Sequence, residues 1–292
     1  MKPVIYFTVA VDADPKRTGL DADDDYLMRK YDTTIGLIKR HIDGKGAVCV
    51  HTSPQYRERF FQPPFIEFWE TWTHEGGELV LHPEEDAYPA PETALRNEPY
   101  YNDIVHMESV INDKVSYMKR KKLPFAAFRG GFFGLTDDIV KVLKKVGIKV
   151  DLSCAPGIVR PERAADWSNA PASGYYLSKE SYRQSDDKPG KGAIFEIPLG
   201  WDGQGIDINK NYLFHERSTY KRMCNVWEVI LARSRKNDCP QFVNFLCHTY
   251  SMRDTKLRTQ CESILGYMRD HNGIPVTTAE AKKIYDELFL SS

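Results

Sequence analysis

The 292-residue sequence predicts an α/β protein, a barrel in preference to an open doubly wound sheet. Short apolar runs alternate with longer amphipathic ones about seven times, the rhythm of strand followed by helix. No Gly-x-Gly-x-x-Gly follows the first run and no phosphate-loop lysine motif occurs, so the nucleotide site that doubly wound sheets commonly carry has no support. Acid, base and ligand residues stand just after the predicted strands, where a parallel barrel opens its mouth.

The elements follow in order. Residues 4–11 are apolar and β-branched, a first strand. Ile35, Ile38 and Ile42 set a helix over 33–42, closed by Gly44 and Gly46. A second strand, 47–50, ends at His51. Phe65, Phe68, Trp69 and Trp72 repeat at helical spacing and stop at Gly76-Gly77. The third strand, 78–81, ends at His82. A proline-bearing stretch, 83–99, leads to a polar helix at 100–121. The strand 125–128 ends at Arg129-Gly130-Gly131, and 136–146 is an amphipathic helix with Ile139, Val142, Leu143 and Val146 inward. Residues 148–152 form another strand.

Residues 155–192, rich in Pro, Ser, Gly, Asp and Ala, read as a loop-rich insertion over one face, with strand-like Tyr175-Tyr176-Leu177 inside it. Strands resume at 195–199, ending at Gly200-Trp201-Asp202. A helix at 217–235, a strand at 242–247 ending at His248, a helix at 255–271 and a strand at 274–276 follow. Thr277-Thr278-Ala279-Glu280 reads as the capping box of a last helix. The expectation is one domain over 1–292.

Composition narrows the function. Forty basic side chains balance 41 acidic ones, which excludes the broad basic footprint of a nonspecific nucleic-acid binder. No apolar run reaches the roughly 18 residues of a membrane span. The six scattered cysteines form no Cys-x-x-Cys pair and read as reduced core thiols. The first residues enter a strand directly, so a cytoplasmic protein is expected.

Asp12-Ala13-Asp14 reads either as turn aspartates before Pro15 or as a base beside a metal ligand, since like charges this close call for a cation. In His82-Pro83-Glu84-Glu85-Asp86, a turn beginning at the proline puts His82 and Asp86 on one side, where they can hold a divalent ion; an acidic capping turn is the plainer reading. Glu84 and Glu85 read as solvated, or as substitute ligands. Arg129 can fix a carboxylate through a bidentate pair or form an ordinary ion pair. His248 is a candidate general acid or a hydrogen-bonded core histidine. His51 and His106 carry the same ambiguity without supporting context.

In this order the motifs resemble the NodB-homology polysaccharide deacetylases, carbohydrate esterase family 4, from residue 4 to about 281. The resemblance implies a distorted (β/α)7-type barrel. It implies Asp12 as base, Asp14 as metal ligand, His82 as a second ligand, Arg129 orienting the base and His248 as acid. Trp201 would form a wall, and Phe132 and Gly130 would contact substrate. Phe133, Tyr175 and Tyr176 are further candidates for stacking on sugar rings, or for the core.

The family's second motif usually carries two histidines four apart, and Asp86 takes the second place here. The implied metal set is Asp14, His82 and Asp86, for Zn²⁺ first and Mn²⁺, Co²⁺ or Fe²⁺ next. The partner of His248 is open between Asp202 and Asp151. The implied activity is removal of an N-acyl group, acetyl first, from an amino sugar of a glycan or glycan precursor. Rivals are a metal-independent C–N amide hydrolase of the same fold, a barrel glycosidase using Asp12 and Asp86, and a non-catalytic glycan binder.

Overall fold

The computed structural model describes residues 3–14, 23–52, 58–84 and 102–290. Asp86 lies outside them. Strands β1 (Ile5–Asp12), β2 (Gly46–His51), β3 (Glu78–His82), β4 (Ala127–Phe128), β5 (Val150–Asp151), β9 (Phe195–Glu196) and β10 (Gln241–His248) make up a curled parallel sheet in the order β10-β1-β2-β3-β4-β5-β9. Parallel bridges Leu199↔Asn244 and Phe214↔Leu246 join its two edges into a distorted barrel. One side of β1 is shared. Ile5–Phe7 pair with β11 (Gly273–Pro275), and Val9–Asp12 pair with β2.

Helices α1 (Asp24–Ile42), α2 (Phe65–His74), α3 (Ile104–Arg120), α4 (Asp137–Val146), α5 (Tyr220–Asn237), α6 (Thr255–Asp270) and α7 (Thr278–Phe289) surround the sheet. None of the helices described is long and apolar enough to cross a membrane. The strands are buried along nearly their whole length, so they read as apolar runs without alternation. The helices show their inward stripes instead, Ile139, Val142 and Leu143 of α4 among them.

Helix α1 begins nine residues before the expected 33. Asp23 caps it by accepting from the Tyr26 amide, and Asp24 and Asp25 face the positive helix end. Its first inward positions include Lys30, Tyr31 and Thr34, which interrupt the apolar period and hide the early turns. Gly77 shows the tightness of the wall, because a Cβ there would overlap the buried Trp72 ring at 1.9 Å. The capping box forms as read, with Thr277 and Glu280 bonding reciprocally.

Residues 155–192 pack rather than hang over a face. They form the antiparallel ribbon of β6 (Val159–Arg160) and β7 (Ala165–Asp166), then β8 (Tyr175–Tyr176), antiparallel to β9. Trp167, Tyr175 and Tyr176 are buried in the hydrophobic core. The two tyrosines thus belong to packing at β9, and Tyr175 donates its hydroxyl to Tyr182 O.

Candidate active site

Strand register brings the polar residues together. Asp12 lies opposite His248 across β1 and β10, and His51 lies opposite His82 across β2 and β3. All four end parallel strands at the same mouth. Arg129 leaves β4 beside them, its amide donating to Leu81 O.

Asp12 is 2% exposed, and Arg129 Nε donates to its Oδ1 at 2.8 Å and Oδ2 at 3.2 Å. Burial alone would raise the Asp12 pKa, but the Arg129 charge, with His82 and His248, holds it well below the usual carboxylate range. Arg129 Nη1 donates to Leu152 O at 2.8 Å, which fixes the guanidinium. His248 Nε2 lies 3.4 Å from Asp12 Oδ2 and 3.6 Å from Asp14 Oδ2.

The partner of His248 is neither Asp202 nor Asp151. Its Nδ1 meets Glu216 Oε1, and Tyr250 donates its hydroxyl to the same oxygen at 3.3 Å. Burial opposes the charge on His248, yet Glu216 pushes its pKa up to about 10. Glu216 itself, despite burial, is lowered to about 2, chiefly by His248. Asp202 is occupied with Asn211, and Asp151 accepts from Ser153 at 2.7 Å.

The reason lies in the chain after β9, which does not leave the sheet for good at Gly200. The Gly200 amide bonds Asn244 O, the chain leaves for residues 201–211, and it returns at Leu213, which bonds back to Gly200. Phe214 and His215 then continue along β10 at Leu246, and Glu216 comes level with His248. Trp201 follows Gly200 into the detour and bridges to Tyr212 across its antiparallel turn. There it stacks on Tyr212 and donates to Gly205 O. Both partners lie within that turn, and the rings stacked near His248 are others.

The aromatic wall consists of Phe214, stacked on His248 with centroids 5.6 Å apart, and Phe133, whose ring lies 5.2 Å from the Arg129 guanidinium. Phe132 turns away to Arg163, 4.0 Å from its ring. Gly130 is structural, since a Cβ would sit 1.7 Å from Gly134 O and its amide already donates to Ser153 Oγ. The Gly131, Phe133 and Gly134 amides are also bonded, to Pro83, Gly130 and Gly131 carbonyls. Phe132 and Phe133 both hold positive φ, 52° and 68°.

The second half of the mouth is a ligand cluster. His82, 1% exposed, has its Nδ1 2.8 Å from Arg129 O, which assigns the proton to Nδ1 and leaves Nε2 as a lone-pair donor. His82 Nε2 lies 3.7 Å from Asp14 Oδ1, and both atoms are buried without a hydrogen-bond partner among the described residues. Asp12, Asp14 and His82 offer atoms close enough to hold one ion, as do Asp14, His51 and Glu84. Glu84 Oε2 is 3.2 Å from His82 Nε2 and His51 Nε2 is 3.6 Å from Asp14 Oδ1.

Burial and the neighbouring Glu84 raise Asp14 to about 7, and burial lowers His51 to about 4. Burial opposes charge on His82, but Asp12 and the other carboxylates raise it to about 9. A cation between these groups would take over that proton's role. Glu84 and His51 are thus members of the cluster that the sequence singled out weakly. The signal for His51 was its place at a strand end in register with His82.

No protein-family model and no curated protein sequence matches the chain. Solved structures do. A Mycobacterium smegmatis protein assigned as a polysaccharide deacetylase is 11% identical with TM-score 0.60, over 99% of this chain and 93% of that one. PuuE allantoinase is 11% identical with TM-score 0.57, over 100% and 93%. A 4-alpha-glucanotransferase from Thermococcus litoralis is 13% identical with TM-score 0.54, over 96% of this chain but 40% of its own. At such identities the likeness is one of fold, and the chain folds as a NodB-like α/β barrel.

Proposed function

We propose that the protein is a metal-dependent hydrolase that removes an N-acyl group, acetyl first, from an amino sugar of a glycan or glycan precursor. The observation that carries this reading is the buried cluster of ligand atoms from Asp14, His82, His51 and Glu84, close enough to share one ion, beside an ionised Asp12. Carboxylate oxygens and imidazole nitrogens buried together are costly unless something binds them. Two imidazoles and two carboxylates suit Zn²⁺, with Mn²⁺, Co²⁺ and Fe²⁺ admitted by the hard oxygen share. Asp14 and His82 would hold the ion, with His51 and Glu84 the additional donors in reach.

Such an ion supplies Lewis acidity at the acyl oxygen and a more acidic water. The chain supplies the proton transfers. Asp12, kept ionised by Arg129, accepts a proton from the attacking water. His248, kept protonated and oriented by Glu216, donates one to the leaving amine. The Phe132 amide, in the positive-φ turn that follows Arg129, is the donor assigned to the oxyanion. Phe133 and Phe214 exclude water behind the acid and the base.

Elemental analysis of purified protein tests the ligands: about one divalent ion per chain is expected, lost in Asp14→Ala and His82→Ala. Full retention in both variants rejects the site. Release of acetate from N-acetylglucosamine oligomers, stopped by a chelator and restored by Zn²⁺, tests the reaction. The alternative is a metal-independent C–N amide hydrolase of the same fold, for which chelation would leave turnover unchanged.

A further inference from the structure

A cavity of about 220 Å³ opens between the first turns of α1 and α6, outside the acid–base cluster. Tyr26, Arg29, Lys30 and Thr33 of α1 line it, with Arg253 from the turn after β10 and Arg258 of α6. Among the described lining residues four are cationic and none is a carboxylate, in a chain whose net charge is −1. The Tyr26 ring gathers two of the charges. The Arg253 guanidinium lies 4.3 Å from its centroid and donates to its hydroxyl, and Lys30 Nζ lies 4.7 Å from the same centroid.

Three nearby carboxylates are engaged elsewhere. Asp23 and Asp254 accept from backbone amides as helix caps, and Asp24 pairs with Arg59. Both walls are tied to the segment bearing Asp12 and Asp14. Tyr31 of α1 donates its hydroxyl to Ala13 O at 3.0 Å, and Thr249 of the β10 turn donates to Asp14 O at 3.1 Å. The cavity thus lies between the elements that follow β1 and β10, the two strands ending at Asp12 and His248.

We propose that this cavity is an anion subsite for a phosphate or diphosphate group carried on the amino sugar, an inference resting on the deacetylase reading for its substrate. Converging arginines with a tyrosine and a threonine hydroxyl match the oxygens of phosphate. The volume is below the roughly 300–1,000 Å³ of sites that enclose whole ligands, which limits the occupant to one or two phosphate groups. A free phosphate offers the same chemistry, and the test separates the two sources.

The first arm is calorimetric titration of the chelator-treated full chain with inorganic pyrophosphate, chelation removing the metal as a rival anion site. Saturable 1:1 binding is expected, weakened at least about tenfold in the surface variant Arg29→Gln/Arg253→Gln/Arg258→Gln and weakened by added salt. No binding, or equal binding by a folded triple variant, overturns the subsite. The second arm compares kcat/KM for N-acetylglucosamine 1-phosphate with that for N-acetylglucosamine on metal-loaded protein. A ratio of about ten or more, falling to about one in the triple variant with the neutral sugar unaffected, supports a substrate-borne phosphate. A ratio near one in the unaltered protein, with pyrophosphate still bound, overturns that part and assigns the cavity to a free anion. Absence of turnover on both sugars counts against the deacetylase reading, while the pyrophosphate titration still decides the subsite.

Discussion

The two sides of the mouth are satisfied to different degrees. On the β1–β10 side the base and the acid each have a dedicated partner, Arg129 for Asp12 and Glu216 for His248. On the β2–β3 side Asp14 Oδ1 and His82 Nε2 face each other with no hydrogen bond, and His51 and Glu84 crowd the same space. Paired groups in a low-dielectric site hold fixed protonation states and are suited to moving protons. Unpaired ligand atoms, held in place by outer contacts such as His82 Nδ1 with Arg129 O, are suited to a cation.

Four measurements break or sharpen this contrast, in descending order of effect. Replacing Asp12 with Asn removes the base from the paired side while keeping its shape, and turnover should fall by about 10²–10⁴ with bound metal retained. Loss of metal along with turnover would merge the two sides. Arg129→Met strands a buried carboxylate, and unfolding by denaturant should show a loss of about 3–5 kcal/mol. A loss under about 1 kcal/mol would mean that Asp12 is not held by that pair.

On the unpaired side, Zn²⁺ at a hundred times its Kd should stabilise the protein by about 2.7 kcal/mol. The gain should vanish in His82→Ala, as read by thermal unfolding. The smallest effect concerns a second buried acid pair behind Arg129. Burial raises the pKa of Asp151 and, more, of Glu196, with Asp151 adding to the latter. Their raised folded pKa values contribute stability that is complete below the ordinary carboxyl range and lost as pH rises toward the folded values. Glu196→Gln should flatten that decline above the ordinary carboxyl range in pH-dependent unfolding. An unchanged slope would show that the pair does not share a proton.

Much of the barrel was legible because its strands are buried on both faces and bounded by glycines, so each appears as a short apolar run with a polar residue after it. Asp12, His51, His82, Arg129 and His248 could be placed at one mouth on that ground. The insertion was harder. Its Pro- and Ser-rich composition signals a loop, yet Trp167, Tyr175 and Tyr176 anchor it in the core. Helix α1 was under-read because Lys30 and Thr34 occupy inward positions.

What the sequence by itself determined is which polar residue stands at the end of β1, β2, β3, β4 and β10, since that depends on local periodicity and turn chemistry. Tertiary structure alone decided who meets whom. Asp12 and Arg129 are 117 positions apart, and nothing local links them. Glu216 became the partner of His248 because the chain leaves the sheet at Gly200 and rejoins β10 at Leu213, a detour whose length decides which carboxylate arrives level with the histidine. The same holds for the cationic pocket, where α1 and the turn after β10, more than two hundred residues apart, bring like charges around one tyrosine ring.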